Sequence, residues 1–440
     1  MGLRRGCVAS LMSIAIFIVT VSVASGQTLS TTKWREDLTQ LRTLLESKHV
    51  NLYHETAKSS FDSAFDRVMR RVDSLKDYQI VLEVMRLVAL AHDGHTSFSP
   101  ADQNVVTFKY YPLILSKFED GLFVISAPDY FPDLEGLELV SIDGTPLETI
   151  AGRITPYLSR DNDEEINYSY PFYLQNAFLL HYAGVALQDS TASFLFRDRN
   201  GKRVEKRMVG ITSDEYKKIN WKPARRGLTL PNLGNNMTYL FLNPVTLSRL
   251  NKKVNYWSCV LDSAQTVFFQ YFTSWDQEGG PSFIDYIHSN VFAALDAHPG
   301  YRLIIDMRYN AGGEPMVAAP LIVSILDRPT LFRYNRPIVL IGTRTFSAAA
   351  TNALQLKRFC NAMLIGQPSR ARPNNPSEGR SFTLHNSGCE ISISTEMVYR
   401  YPEQPDAKTI PLDKFVPLKF SDYIQDIDKT FDTALSIHNK

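Results

Sequence analysis

Cysteine is scarce in this chain. Only Cys7, Cys259, Cys360 and Cys389 occur among 440 residues, at spacings that fit neither a zinc site nor a dense disulfide framework. Charge of one sign is scarce too: 47 Lys and Arg stand against 46 Asp and Glu, a formal net charge of +1. That balance lacks the broad basic field of a nucleic-acid binder and the acidic field of a solvating tail. After the N-terminal stretch there is no long apolar run, so no later segment reads as a membrane span. Long repeats and low-complexity tracts are absent as well, which argues against a solenoid. What remains is ordinary for a globular protein, 44% hydrophobic and 21% charged, with length for two or three domains.

The N-terminus differs from the rest. Arg4 and Arg5 precede a mostly apolar run from Val8 to Val23, and Ala24-Ser25-Gly26 supplies small residues. This is the layout of a cleaved secretory signal over 1–26, which implies a secreted or periplasmic protein with no stable membrane span after cleavage. The alternative is an uncleaved anchor, for which the run is short. Cleavage leaves Cys259, Cys360 and Cys389, and three thiols cannot all pair within one chain. One bridge between Cys360 and Cys389, or three buried thiols, are both open.

Along the mature chain the pattern changes twice. Residues 27–105 read as helices: Leu38, Leu41, Leu44 and Leu45 recur at helical spacing, as do Phe61, Phe65 and Val68, then Ile80, Val81, Val84 and Leu87. Residues 106–212 read as short alternating strands. Among them, Gly136-Leu-Glu-Leu-Val-Ser-Ile-Asp-Gly-Thr-Pro146 is a strand, a tight Asp-Gly turn and the start of a short helix, and Asn200-Gly201 joins a hairpin. That phrase resembles a strand and turn of PDZ domains, so this region is expected to be a PDZ-like insert. Residues 213–440 open with a polar connector over 213–235. Strands at 237–242, 264–272, 302–307, 337–341 and 362–366 then alternate with helices at 283–297, 316–326 and 347–358, an α/β core.

Two stretches of that core carry chemistry. Tyr301-Arg-Leu-Ile-Ile-Asp-Met-Arg-Tyr-Asn-Ala-Gly-Gly313 is an apolar strand running into paired glycines. Ile338-Val-Leu-Ile-Gly-Thr-Arg-Thr-Phe-Ser347 is a second strand that presents a serine where a helix begins. A serine at such a corner is placed for nucleophilic attack, although serine is also a common helix cap. The N–H groups of Gly312, Gly313 and Ala348 are candidate donors to a tetrahedral oxyanion, while a plain strand-to-helix turn is the simpler use of the glycines. A serine needs a base, and among nine histidines His95 stands out, on a loop after the turn Asp93-Gly94. His92 is the alternative.

These segments resemble the S41 serine peptidases, the family of C-terminal processing and tricorn-core proteases. Asp93-Gly-His-Thr96, Leu303-Ile-Ile-Asp-Met-Arg-Tyr-Asn-Ala-Gly-Gly313, Thr345-Phe-Ser-Ala-Ala349 and Leu364-Ile-Gly-Gln-Pro368 resemble its motifs in order, over most of the mature chain. The resemblance implies a core like that of the ClpP and crotonase folds, hydrolysis of peptide bonds in unfolded or partly degraded polypeptides, and no metal or organic cofactor. One branch of the family uses a lysine about 25 residues after the serine. Arg372 stands there, and arginine does not give up its proton. Lys357, on the serine's own helix, is expected to face solvent. The tricorn-like branch instead uses the motif histidine, here His95, with a carboxylate nearly sixty residues after the serine, where Asp406 and Glu403 are the candidates. The same family includes non-hydrolytic retinoid-binding proteins, so an inactive S41-like protein binding peptides or apolar ligands is the rival reading.

Overall fold

The computed structural model describes residues 29–98, 104–219, 221, 255–333, 335–425 and 427–437. The expected signal over 1–26 and the expected strand at 237–242 lie outside them. Three helices, Thr31–Lys48, Lys58–Arg71 and Asp77–Ala89, open the described chain. Leu38, Leu41 and Leu45 of the first, Phe61, Phe65 and Val68 of the second, and nearly every residue of the third are buried. The third helix ends just before the loop that carries His95.

Next comes a six-stranded antiparallel sheet. Its path runs through Ile114–Phe118, Gly121–Ser126, Glu138–Ile142, Thr191–Arg197 and Arg203–Val209, and Thr145–Pro146 pairs with Glu138–Ile142. Burial alternates along its inner strands, for example at Leu122, Val124 and Ser126, as expected of a sheet with one wet face. The last hairpin turns at Asn200-Gly201, with φ of +81° at Gly201. Two helices, Glu164–Tyr173 and Ala177–Tyr182, fall where the sequence pattern led us to expect strands.

The C-terminal half builds a second six-stranded sheet, in the order Lys414–Phe415, Met363–Gly366, Ile338–Ile341, Arg302–Asp306, Thr266–Tyr271 and Tyr256–Leu261. All neighbours are parallel except the last pair. The central strands are buried on both faces, which is why they read as unbroken apolar runs. The expected helices at 283–297, 316–326 and 347–358 are present, the first with a π-helical stretch at Ile287–Phe292 and the second opening as a 3₁₀ turn at Pro315–Ala318.

A long hairpin, Asn374–Thr383 with Glu390–Tyr399, joins the two halves. It belongs to the C-terminal stretch by sequence, yet Leu384, Cys389, Ile391 and Ile393 pack into the same core as the N-terminal helices and the first sheet. Cys360 belongs to the other core. Cys259, Cys360 and Cys389 are all free thiols, so the bridge considered between Cys360 and Cys389 does not form. No helix among the described residues is long and apolar enough to cross a membrane.

Candidate active site

The serine's position follows from how two parallel strands end. Strand Arg302–Asp306 leads into Met307-Arg308. Arg308 is clamped between Asp306 (2.7 Å) and Asp428 (2.8 Å), and Gln270 also bonds Asp306 (3.0 Å). This buried network fixes the start of the turn that reaches Gly312 and Gly313. The neighbouring strand Ile338–Ile341 ends in a turn pinned by Thr345, whose hydroxyl donates to the Met307 carbonyl (2.9 Å) and accepts from the Gly342 N–H (3.0 Å). Phe346 follows in extended conformation, and Ser347 takes φ of +49°, in the left-handed region. For a non-glycine residue that conformation is uncommon and stores strain. Ser347 is not a cap here: the cap position is Phe346, and no side chain caps this helix.

The Ser347 hydroxyl instead meets His95. His95 Nε2 lies 3.0 Å from Ser347 Oγ, between residues 252 positions apart in sequence. The hairpin holds the histidine segment in place. Ser97 and Ser392 exchange backbone hydrogen bonds of 3.0 Å in both directions, Ser392 Oγ donates to the His95 carbonyl (2.7 Å), and Ser394 N–H donates to Thr96 Oγ1 (2.9 Å). A side chain at Gly379 would meet Ser392 Oγ at 2.5 Å and the His95 carbonyl at 3.0 Å, so glycine permits this approach. The imidazole stacks on the Phe346 ring, centroids 4.6 Å apart, and Arg370 covers the same ring.

The three expected oxyanion donors divide. Gly312 N–H donates to Asn310 Oδ1 (2.9 Å) and is therefore committed elsewhere, a correction to its expected role. What Gly312 provides is clearance: a side chain there would strike Ser347 Cβ at 2.8 Å. Gly313 lies between two ladder bonds to Ser274, which use the Gly312 carbonyl and the Glu314 N–H and leave the Gly313 N–H unused. Ala348 N–H belongs to the first helical turn, where no intrahelical acceptor exists. Gly313 and Ala348 line one open cavity of about 340 Å³ together with Ser347, His95, Glu378 and Arg400.

The carboxylates brought to His95 are Asp93 and Asp161; Asp406 and Glu403 are not among the groups around the ring. Glu403 pairs with Arg358 at 2.5 Å on the surface, and Asp406 is exposed on the loop whose carbonyls at Gln404 and Pro405 accept from Asn374. That loop is tied to the base of the hairpin and not to its histidine-bearing flank. Arg372 pairs with Glu55, Lys357 with Asp413 at 2.6 Å, and His92 faces Glu55 at 3.8 Å. None of the three contacts Ser347 as a base would.

Asp93 sits fully buried. Its Oδ1 accepts the His95 backbone N–H (2.8 Å), and its Oδ2 lies 3.1 Å from His49 Nε2. His49 Nδ1 accepts from Asn51 N–H (3.0 Å), so Nε2 carries the His49 proton and donates to Asp93. Burial pushes the Asp93 carboxyl up, but hydrogen bonds led by that from His49 outweigh it and hold Asp93 below the usual range. Asp93 therefore stays ionised beside His95. Its Oδ1 is 4.0 Å from His95 Nδ1, an electrostatic contact and not a hydrogen bond, and Nδ1 has no hydrogen-bond partner among the described residues. Asp161 accepts from Gly94 N–H (2.6 Å) and Asn375 Nδ2 (2.9 Å), tying the first sheet's domain to the histidine loop and the hairpin. Burial and the Asp93 charge push its carboxyl up to about 7.

Burial pushes His95 down to about 4; the Asp93 charge opposes this, and Arg400 and Arg370 add to it. A base acts in its neutral form, so His95 is competent at every pH well above that value and loses competence as pH falls through it. The acid limb of kcat/KM is therefore expected near pH 4, not near the ordinary histidine value of 6.5. A pH–rate profile bending near 6.5 would contradict this. Asp93→Asn removes the negative charge facing Nδ1, and kcat is expected to fall by roughly 10–10³-fold, the size of a unit-charge contact at this distance in a semi-polar site. The acid limb should move lower still, because Asp93 is the group that holds the His95 value up. A pure packing defect would lower thermal stability and leave the limb unmoved.

No family model and no curated protein sequence matches this chain. Its fold does match solved structures. Mature CPAF is similar over 92% of this chain and 96% of that one, with a TM-score of 0.58 at 13% identity. Mature CPAF complexed with lactacystin is similar over 92% and 97%, with a TM-score of 0.58 at 13% identity. The tricorn protease is similar over 92% of this chain and 36% of that one, with a TM-score of 0.43 at 12% identity. These neighbours are S41-family peptidases. The chain shares with CPAF a mixed helix-and-sheet fold that spans nearly all of both chains.

Two site residues escaped the sequence reading. Asp93 was visible as half of an Asp-Gly turn signal and as the start of the Asp93-Gly-His-Thr96 motif but not as a charge facing the base, and it does make that turn, through Oδ1 to the His95 N–H. Its second oxygen depends on His49, the residue that ends the first helix, for which no local pattern exists. Asp161 lies in a loop of the first sheet's domain and gives no local signal.

Proposed function

We propose that this chain is a serine endopeptidase of S41 type, acting on unfolded or partly degraded polypeptides, with Ser347 as nucleophile and His95 as general base. The observation that carries the reading is the 3.0 Å contact between His95 Nε2 and Ser347 Oγ, made by a serine in left-handed conformation at a strand-to-helix corner. In acylation, Ser347 Oγ attacks the scissile carbonyl carbon while His95 Nε2 takes the hydroxyl proton. The carbonyl oxygen becomes an oxyanion, and the Gly313 and Ala348 N–H groups are its donors, each worth on the order of 10²–10³ in rate. The oxyanion then collapses, the C–N bond breaks, and His95 returns the proton to the departing amine. Water repeats the cycle on the acyl-enzyme and frees Ser347. Asp93 favours the transient imidazolium through space.

The finer architecture belongs to the same proposal: a ClpP- and crotonase-like core carrying Ser347, a PDZ-like first sheet, and a secreted or periplasmic location set by the signal at 1–26. The test is hydrolysis of an unfolded polypeptide by purified protein, with fragments identified by mass spectrometry. Internal cleavages that disappear on fluorophosphonate treatment support the reading. Intact substrate, or cleavage that survives the inhibitor, sinks it.

A further inference from the structure

Arg400 faces the cavity with a charge to which the hydrolysis described above gives no substrate contact. It follows the last residue of the hairpin strand Glu390–Tyr399 and lines the 340 Å³ cavity beside Ser347 and His95. It also lines a second, much smaller void that touches the same two residues. Its side chain makes no hydrogen bond and no ion pair with any described residue, although its backbone is held by Pro373 and Arg358. The neighbouring arginines differ: Arg370 pairs with Glu165 at 2.6 Å, and Arg372 pairs with Glu55. Burial pulls the Arg400 value down, and Glu378 and Asp161 oppose this without reaching pairing distance. Among the described residues Glu378 is the only acid on the cavity wall, and it is exposed, so solvent and salt screen it.

The unpaired guanidinium is only half-buried, so its donors remain accessible to an anion entering the cavity. Its rigid fork of donors matches a carboxylate in two-point geometry. We propose that Arg400 is a specificity-determining residue that binds a substrate carboxylate next to the scissile bond. The preferred substrates then carry an Asp or Glu side chain, or a free C-terminus, within the cavity. This rests on the peptidase reading for its catalytic consequence, but the binding it describes does not require turnover.

The experiment uses the full chain and two matched peptide sets: Asp or Glu against Asn or Gln at each position flanking the cleaved bond, and C-terminal acid against C-terminal amide. Binding is measured by fluorescence anisotropy with the Ser347→Ala protein, and turnover as kcat/KM with the unmutated protein. In one of the two sets, the carboxylate peptide is expected to bind and react roughly 10–100-fold better, the range of one charge-assisted contact. Which set responds distinguishes a side-chain carboxylate from a terminal one. Arg400→Gln should erase the preference and move the acid limb upward, because it removes one of the charges that lower the His95 value, while fluorophosphonate labelling at neutral pH persists; Arg400→Lys should keep part of the preference. Labelling also reports that the variant has folded. Equal handling of all peptides by the unmutated protein, or a preference that persists in Arg400→Gln, overturns the proposal. A carboxylate preference in binding without any turnover leaves it standing and instead refutes the peptidase reading.

Discussion

Replacing Ser347 by alanine is expected to lower peptide hydrolysis by roughly 10⁴–10⁶-fold, the scale set when a nucleophile of this type is removed. The hydroxyl does one thing in the structure: it meets His95 Nε2 at 3.0 Å. It caps no helix, and its removal leaves neighbouring apolar groups such as Ala349 and Ala350 undisturbed in their core. Thermal unfolding should therefore be close to that of the unmutated protein while activity falls to background. A variant that unfolds early would leave activity loss uninterpretable, so Ser347→Cys is the companion. It keeps a side chain of similar size, and its thiolate should retain a small activity that alanine lacks. Full activity in Ser347→Ala would assign the hydrolysis to another group or another protein.

The second large effect is at His95. His95→Ala should reduce kcat by roughly 10⁴–10⁶-fold as well, since nucleophile and base act as a unit and their losses do not add. The double variant should be no worse than either single one. Removing the ring also removes its stack on Phe346, so a modest loss of stability is expected, and added imidazole should restore part of the rate by filling the vacated space. Arg372→Ala is the contrast. Its guanidinium is tied to Glu55, and much of the activity should remain. Comparable loss from Arg372→Ala with His95→Ala still active would overturn the mechanism.

The parts of this fold that were legible in the sequence share a physical cause. Strands such as Ile338–Ile341, buried on both faces, leave unbroken apolar runs. The turns after them carry glycines or the serine, because a close backbone approach excludes side chains. His95 was legible from its place on a loop after the Asp93-Gly94 turn and from a short motif that resembles that of a known family; no periodicity distinguishes it from His92. The hairpin at Asn374–Tyr399 is another matter. Its first strand, Asn374-Asn-Pro-Ser-Glu-Gly-Arg-Ser-Phe-Thr383, is polar and contains Pro376 and Gly379. It forms because it pairs with Glu390–Tyr399, a strand that is in turn bonded to the histidine segment far away in the chain. The orienting carboxylate went astray for the same reason. The family resemblance pointed to Asp406 and Glu403, whereas the ionised group at the ring is Asp93, two residues from the histidine and held by His49.

Covalent labelling tests the pairing of Ser347 with His95 most directly. Purified protein is treated with a fluorophosphonate at neutral pH, and the modified residue is mapped by peptide mass spectrometry. The expected result is one phosphonyl group on Ser347, attached rapidly to the unmutated protein, slowly or not at all to His95→Ala, and never to Ser347→Ala. Labelling of Ser347 that proceeds equally fast without His95 would remove the histidine from the mechanism, and a folded protein that takes no label at Ser347 would remove the nucleophile.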